Sequence, residues 1–338
     1  IPSILRDFSA PVILDHEIDN DRRAFLLAHD TDPFNRWEAG RMLARGSLMD
    51  SISSGAQPDP AYLDGLMAVL RDDTLDPAYR ALMLGQPSQS ELAGLLHDAG
   101  HTPDPEAIHT ASEGLRDAKA AALADILPAL YDANQVSGPF SPEAEPVGRR
   151  DLANAALSLL SRQDSGKRAA DQYAKADNMT QQLAALSCLL DAGQGDTQLA
   201  AFEAQWSHDR LVMDKWFSLQ IIQANPEDVA STTSRLTQHA DFDMKNPNRF
   251  RAVMGALSMH HAGFHYEDGA AYALLTDWLI RLDPMNPQTT ARMCSAFQTW
   301  KRYDTDRQQK IGVQLDRILS QPDLSRDTTE MVSRIRGA

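Results

Sequence analysis

The chain has 338 residues, of which 43% are hydrophobic and 23% charged, the balance of a folded globular protein rather than a disordered or fibrous one. Its formal net charge of −15 excludes a general binder of phosphate backbones, which needs a basic face, so no nucleic-acid partner is expected. No apolar run approaches the roughly 20 residues of a membrane-spanning helix, so no membrane partner is expected either.

The chain opens on Ile1 with IPSILRDFSAPV, an apolar start without Met that reads as the interior of a longer protein. SAPVIL (Ser9 to Leu14) is the one strand-like stretch. His16-Glu17-Ile18-Asp19-Asn20 invites comparison with H-E-x-x-H, in which two histidines one turn apart ligate zinc and the Glu polarises a water. Asn20 stands where the second His belongs, and turn residues flank the segment, so it reads as a solvated turn.

From there the apolar spacing is helical, three and four apart. Asp32-Pro33, Asp76-Pro77, Asn225-Pro226, Asn246-Pro247 and Asn286-Pro287 each join a capping side chain to a Pro with helical φ, so each predicts a helix start. Ser88 to Glu91 (SQSE) has the form of a capping box. One longer helix is predicted from about Pro105 to Asn134. SGPFSPEAEPVG (Ser137 to Gly148), with three prolines and two glycines, reads as a linker and a subdomain break. Asp177 is the expected cap of NMTQQLAALSCLLDAG, which should end at Gly193. LVMDKWFSLQII (Leu211 to Ile222) is apolar almost all round and should sit centrally. Short helices with short connections predict an all-α fold, a superhelix of stacked antiparallel helix pairs of the HEAT/ARM solenoid type. The two cysteines, Cys188 and Cys294, form no disulfide framework and read as buried thiols in a reducing compartment.

Three stretches bear on chemistry. KNPNRFRAVMG (Lys245 to Gly255) places Arg249 and Arg251 at a helix N-terminus, where anions rather than cations are favoured. Asn248 and Arg251 share a face, as do Gln288 and Arg292, four apart after Asn286-Pro287. A guanidinium fork suits a carboxylate or a peptide carbonyl, but it equally suits an ordinary ion pair with one of the chain's many acids. MHHAGFHYEDG (Met259 to Gly269) holds His260, His261 and His265. His261 and His265 have a spacing that can share a metal, yet Gly263 is expected to interrupt the helix and no third ligand follows at a clear spacing. The cluster reads as histidines at a helix-to-helix turn, with no metal. No G-x-G-x-x-G, G-x-x-x-x-G-K or G-x-S-x-G occurs, so no complete active site is written in the chain.

Eight stretches, in order, carry a resemblance: IPSILRDFSAPV, FNRWEAGRML (Phe34 to Leu43), DNMTQQLAALS (Asp177 to Ser187), LVMDKWF (Leu211 to Phe217), NPNRFR (Asn246 to Arg251), FHYEDG (Phe264 to Gly269), NPQTTAR (Asn286 to Arg292) and KRYDTDRQ (Lys301 to Gln308). Together they resemble the C-terminal helical domain of the bacterial aminopeptidase N family, zinc-dependent gluzincins that remove N-terminal residues from peptides. The resemblance implies an exit segment from a preceding β-sandwich domain over residues 1–16 and a helical domain over 17–338, with a possible break near 137–148. It implies a cytoplasmic parent enzyme whose zinc-binding H-E-x-x-H helix and G-A-M-E-N loop belong to a catalytic domain of the same polypeptide. Neither motif is in this chain, which by itself is expected to bind no zinc and to be inactive. The helical domain of that family caps the active site, and Arg251, Gln288 and Arg292 would line its substrate chamber; Arg249 would face differently and be structural. His260-His261 has no counterpart in the family pattern. The alternative is a stand-alone helical-repeat scaffold that binds a protein partner along its concave face.

Overall fold

A computed structural model describes residues 1–6, 9, 10, 12 and 18–337. Half of the strand-like stretch from Ser9 to Leu14 falls outside that set, and His16-Glu17 falls outside it altogether. Among the described residues no strand occurs, so the all-α expectation holds. The helices run in chain order as α1 (Asn20–His29), α2 (Pro33–Ser54), α3 (Pro60–Arg71), α4 (Pro77–Met83), α5 (Gln89–Asp98), α6 (Pro105–Ala122), α7 (Leu127–Ala133), α8 (Ala144–Asp164), α9 (Lys167–Lys175), α10 (Met179–Asp191), α11 (Asp196–Trp206), α12 (Arg210–Ile222) and α13 (Val229–Leu236). There follow α14 (Pro247–Phe250), α15 (Ala256–Met259), α16 (His261–Phe264), α17 (Ala270–Leu282), α18 (Pro287–Cys294), α19 (Thr305–Leu319) and α20 (Arg326–Arg336).

Two compact units divide the chain: residues 1–92 with 110–195, and residues 93–109 with 196–338. The division passes through α5 and α6, while residues 137–148 lie inside the first unit, 137–143 between α7 and α8 and 144–148 at the start of α8. In the first unit α1 packs on α2 and α3, and α8 packs on α4, α7, α9 and α10. In the second, α12 packs on α11, α13 and α15, while α17 packs on α13, α15, α18 and α19. Burial of the apolar stripe of each helix against its neighbours is what holds such pairs together, because isolated helices of this length are marginal in water.

The helix starts follow the capping chemistry closely. Asp32, Asp76, Asn246 and Asn286 each accept a hydrogen bond from a backbone N–H of the first turn. Asp59-Pro60 and Asp104-Pro105 do the same through Ala61 N–H and Glu106 N–H, and the same dipeptide rule would have found both. Asn225 is the exception: it precedes a short 3-10 turn, Pro226–Asp228, without a side-chain cap. Ser88 accepts from Glu91 N–H at 3.2 Å, but the Glu91 carboxylate turns to Arg41.

Other expectations need correction. The predicted helix from Pro105 to Asn134 breaks after Ala122: Pro128, in the first turn of α7, has no N–H to offer the Ala124 carbonyl and its ring crowds that carbonyl, so one continuous helix cannot pass through it. Asn178 rather than Asp177 caps α10, accepting from Gln181 N–H at 3.0 Å. The other end is as expected: Gly193 takes φ of 66°, and Gln194 N–H returns to Leu189 O. α12 is buried through Val212, Met213, Trp216, Phe217 and Leu219, although Leu211 and Ile222 are exposed at its ends. Cys188 and Cys294 are free and buried, as expected, and burial pushes their thiols up to about 11 and about 12.

Candidate functional site

Asn246-Pro247 starts a helical run to Met259 that is not α-helical throughout. Arg251–Gly255 forms a π-turn between α14 and α15. The wider turn loosens the regular ladder, and Ser218 Oγ of α12 donates to the Ala252 carbonyl at 3.0 Å. Two arginines enter this run and part company. Arg249 is 3% exposed, its Nε donating to Asp214 Oδ1 at 2.6 Å and its Nη1 to the Asp241 carbonyl at 2.5 Å. Nη2 reaches the Arg210 carbonyl, and the guanidinium lies 4.4 Å from the centre of the Phe217 ring. This cation is a fully engaged strut between α12 and the start of α14. Arg251 is exposed, with Nε donating to the Pro247 carbonyl at 3.0 Å and Nη2 to Asn248 Oδ1 at 2.7 Å. Both partners are neutral, so its charge is not cancelled.

Gln288 and Arg292 stand four apart on the exposed face of α18, whose other face buries Thr290, Ala291, Met293 and Cys294. The Arg292 guanidinium has no ion pair or hydrogen bond among the described residues, in a chain of net charge −15. α18 is held firmly. Asn286 caps it, and α20 packs along it. Buried Asp283, at the end of α17, accepts from Ser325 N–H and Ser325 Oγ, both at 2.7 Å, which ties the approach to α18 to the start of α20. The Arg251 run and α18 both pack on α17. Gln288 and Arg292 are thus brought together, and Arg251 stands on the next helix but one. Exposed guanidinium and carboxamide groups on braced helices can hold carbonyl or carboxylate oxygens without rearranging the scaffold.

His261 and His265 form a buried aromatic cluster with Tyr272 and Tyr303, and His260 stands half-buried next to it in the chain. His260 accepts from Gly263 N–H at Nδ1 and donates from Nε2 to the Ala224 carbonyl, each at 3.0 Å, which fixes it as a neutral ring. His261 Nε2 lies 3.0 Å from the Tyr303 hydroxyl, and His265 Nδ1 lies 2.8 Å from the Tyr272 hydroxyl. Burial holds all three below the usual imidazole range, His261 at about 4. Gly263 does not interrupt the helix, since it lies inside α16; the break falls at His260, where ψ is 85°. A glycine is required at 263 because a Cβ there would lie 2.4 Å from Val229 Cγ2. Among the described residues no group of three His, Cys, Asp or Glu side chains is placed to hold a metal ion.

The sequence matches, over residues 20–337, the family described as a domain of unknown function (DUF3458_C) with ARM repeats. The chain belongs to that family. It is also 38% identical to aminopeptidase N of Caulobacter vibrioides and 35% identical to aminopeptidase N of Escherichia coli, each over 345 residues. Both matches take in 99% of this chain but 39% of the relative, so the chain spans well under half the length of these enzymes. A crystal structure of Legionella pneumophila aminopeptidase A in complex with aspartic acid superposes with a TM-score of 0.85 at 28% identity, over 98% of this chain and 40% of that one. The resemblance to the helical domain of aminopeptidase N, read from eight short stretches, is borne out over the whole DUF3458_C chain. No helix among the described residues is long and apolar enough to cross a membrane.

Proposed function

We propose that this chain is the C-terminal helical domain of a zinc-dependent aminopeptidase that removes N-terminal residues from peptides in the cytoplasm. Residues 1–16 are the exit from a preceding β-sandwich domain, and a catalytic domain of the same polypeptide supplies the zinc site. In that role the helical domain encloses the substrate chamber, excludes water from it and limits entry to short peptides. Zinc polarises the attacking water and the scissile carbonyl in such an enzyme. The residues of this chain do not fit the metal: His260, His261 and His265 are neutral rings aimed at a carbonyl and two tyrosine hydroxyls. The domain by itself is inactive.

The observation that carries the reading is a match along 99% of the chain to an enzyme of which it covers only 39%. Exposed, unpaired Arg292 beside Gln288 supports a chamber-lining role for α18, with Arg251 contributing a further cation. There Arg292 donates to carbonyl oxygens, or to the C-terminal carboxylate, of a peptide beyond its first residue. In the full parent enzyme, Arg292→Ala is expected to lower kcat/KM for tri- and tetrapeptides by about tenfold, the loss of one charge-assisted contact of about 1.5–3 kcal/mol. A single-residue amide substrate, too short to reach Arg292, should be unaffected. Equal loss on both substrates, or on neither, would remove Arg292 from the chamber.

A further inference from the structure

The first unit holds a cavity of about 140 Å³ that the proposed chamber role does not use. Its walls are Leu27 of α1, Trp37 of α2, Tyr62 and Leu66 of α3, and Leu82 and Met83 of α4. Leu82 is 56% exposed, so the cavity has a mouth at the surface. A void near 150 Å³ lined by apolar side chains is large enough for a molecule the size of benzene.

Polar groups set this cavity apart from a packing defect. Gln86 lines it just beyond α4. Gln86 Nε2 donates to the Ser112 carbonyl at 3.2 Å, which fixes the orientation of the amide, and leaves Oε1 buried without a hydrogen-bond partner. The Tyr62 side chain is 2% exposed, and no described residue bonds its hydroxyl. Burial alone pushes its pKa up, so it stays a neutral phenol able to donate or accept. Gln86 Oε1 carries the cost of desolvation with nothing in return unless an occupant meets it, and the Tyr62 hydroxyl is free to bond the same occupant. The one charge in the wall is already answered: Arg41 Nη2 donates to both Glu91 oxygens at 2.7 Å, and its guanidinium lies 5.2 Å from the Trp37 ring centre. A charged ligand would find no free counter-charge there.

We propose that this cavity is a binding site for a small neutral aromatic molecule bearing one hydroxyl, its ring among Trp37, Leu66 and Met83 and its polar group met by Gln86 Oε1 and the Tyr62 hydroxyl. The ring replaces the missing dispersion contacts of the void, and the hydroxyl satisfies the orphaned acceptor. Recognition of this kind discriminates strongly against the analogue that lacks the hydroxyl, because the wall's polar atoms are then left unpaired.

The test is calorimetric titration of the polypeptide that carries this chain with phenol, and with toluene as the analogue of similar shape. Phenol is expected to bind saturably at one site and at least tenfold more tightly than toluene. Gln86→Leu and, independently, Tyr62→Phe should each weaken phenol by about tenfold, the worth of one hydrogen bond, and leave toluene unchanged or tighter. Equal binding of N-acetyltyrosinamide would make the natural ligand a tyrosine side chain of a peptide; binding of phenol alone would make it a free small molecule. No saturable binding of phenol, equal binding of toluene, or indifference to both substitutions would mean that water alone fills the cavity, and would overturn the proposal.

Discussion

Arg249 and Arg251 are two residues apart with the same side chain, and their energetics differ because one is dry. Arg249 has traded its hydration for Asp214, two carbonyls and the Phe217 face. Removing one partner of a buried pair leaves the other charge uncompensated, at a cost of about 3–5 kcal/mol. Arg249→Ala is therefore expected to destabilise the second unit by about 3 kcal/mol, the low end because Asp214 keeps some contact with water. Arg251→Ala, whose bonds are exposed and local, should stay within about 0.5 kcal/mol in the same urea titration. Comparable losses for both would contradict the division of roles. At this scale sequence could say that the two cations face differently, since they are two apart on a helix. It could not say which acid takes Arg249, because Asp214 lies 35 positions away and is one of 47 acidic residues.

Identical dipeptides do not make identical helix starts. Asn286 and Asn225 both precede a Pro, yet only Asn286 has a side chain that accepts from the turn it opens. Asn286 has φ of −148° and Asn225 has φ of −62°, so the two carboxamides leave the backbone in different directions. Asn286→Ala should cost about 1 kcal/mol, with amide exchange increasing in the first turn of α18 beneath Gln288, while Asn225→Ala should cost only a few tenths. Equal costs would show that the cap bond in α18 contributes nothing. The starts were largely legible, because a cap and a proline act within four residues. The break between α6 and α7 was legible too, since Pro128 in a helix interior costs about 3 kcal/mol. The π-turn at Arg251–Gly255 had no local signal; inside it the Ala252 carbonyl faces Ser218 Oγ of α12 at 3.0 Å, a neighbour 34 positions away.

Across the whole molecule the buried histidines couple folding to acidity. His261 has a folded-state pKa of about 4, depressed first by burial, then by His260 and Arg307, against about 6.5 when unfolded. Above pH 6.5 both states hold the ring neutral and it contributes no pH dependence. As pH falls from 6.5 towards 4 the unfolded chain takes up a proton that the folded chain refuses, so stability is lost through that window. The full loss from His261 is about 3 kcal/mol, and His265, packed at 4.0 Å between ring centres against Tyr303 and also held low by burial, adds in the same direction. Urea midpoints measured from pH 7 to 4 should fall steadily, and His261→Gln should flatten the slope. A wild-type midpoint that is level across this range would mean that the cluster opens to water and protonates while folded.

The sequence by itself determined the all-α class, most helix starts, the burial of both thiols and the family, since each is written in contiguous residues or in the order of short stretches along the chain. The exposed face of α18 was legible in the same way, from the four-residue spacing of Gln288 and Arg292. Tertiary structure alone decided that Asp214 is the acid that takes Arg249, that three histidines became neutral rings, and that Tyr62 and Gln86 were left unanswered around a cavity. Two of the deciding contacts, Asp214–Arg249 and His261–Tyr303, join residues 35 and 42 positions apart. The free energy of a buried polar group is set by whichever partner the packing brings to it, and no local pattern encodes that partner.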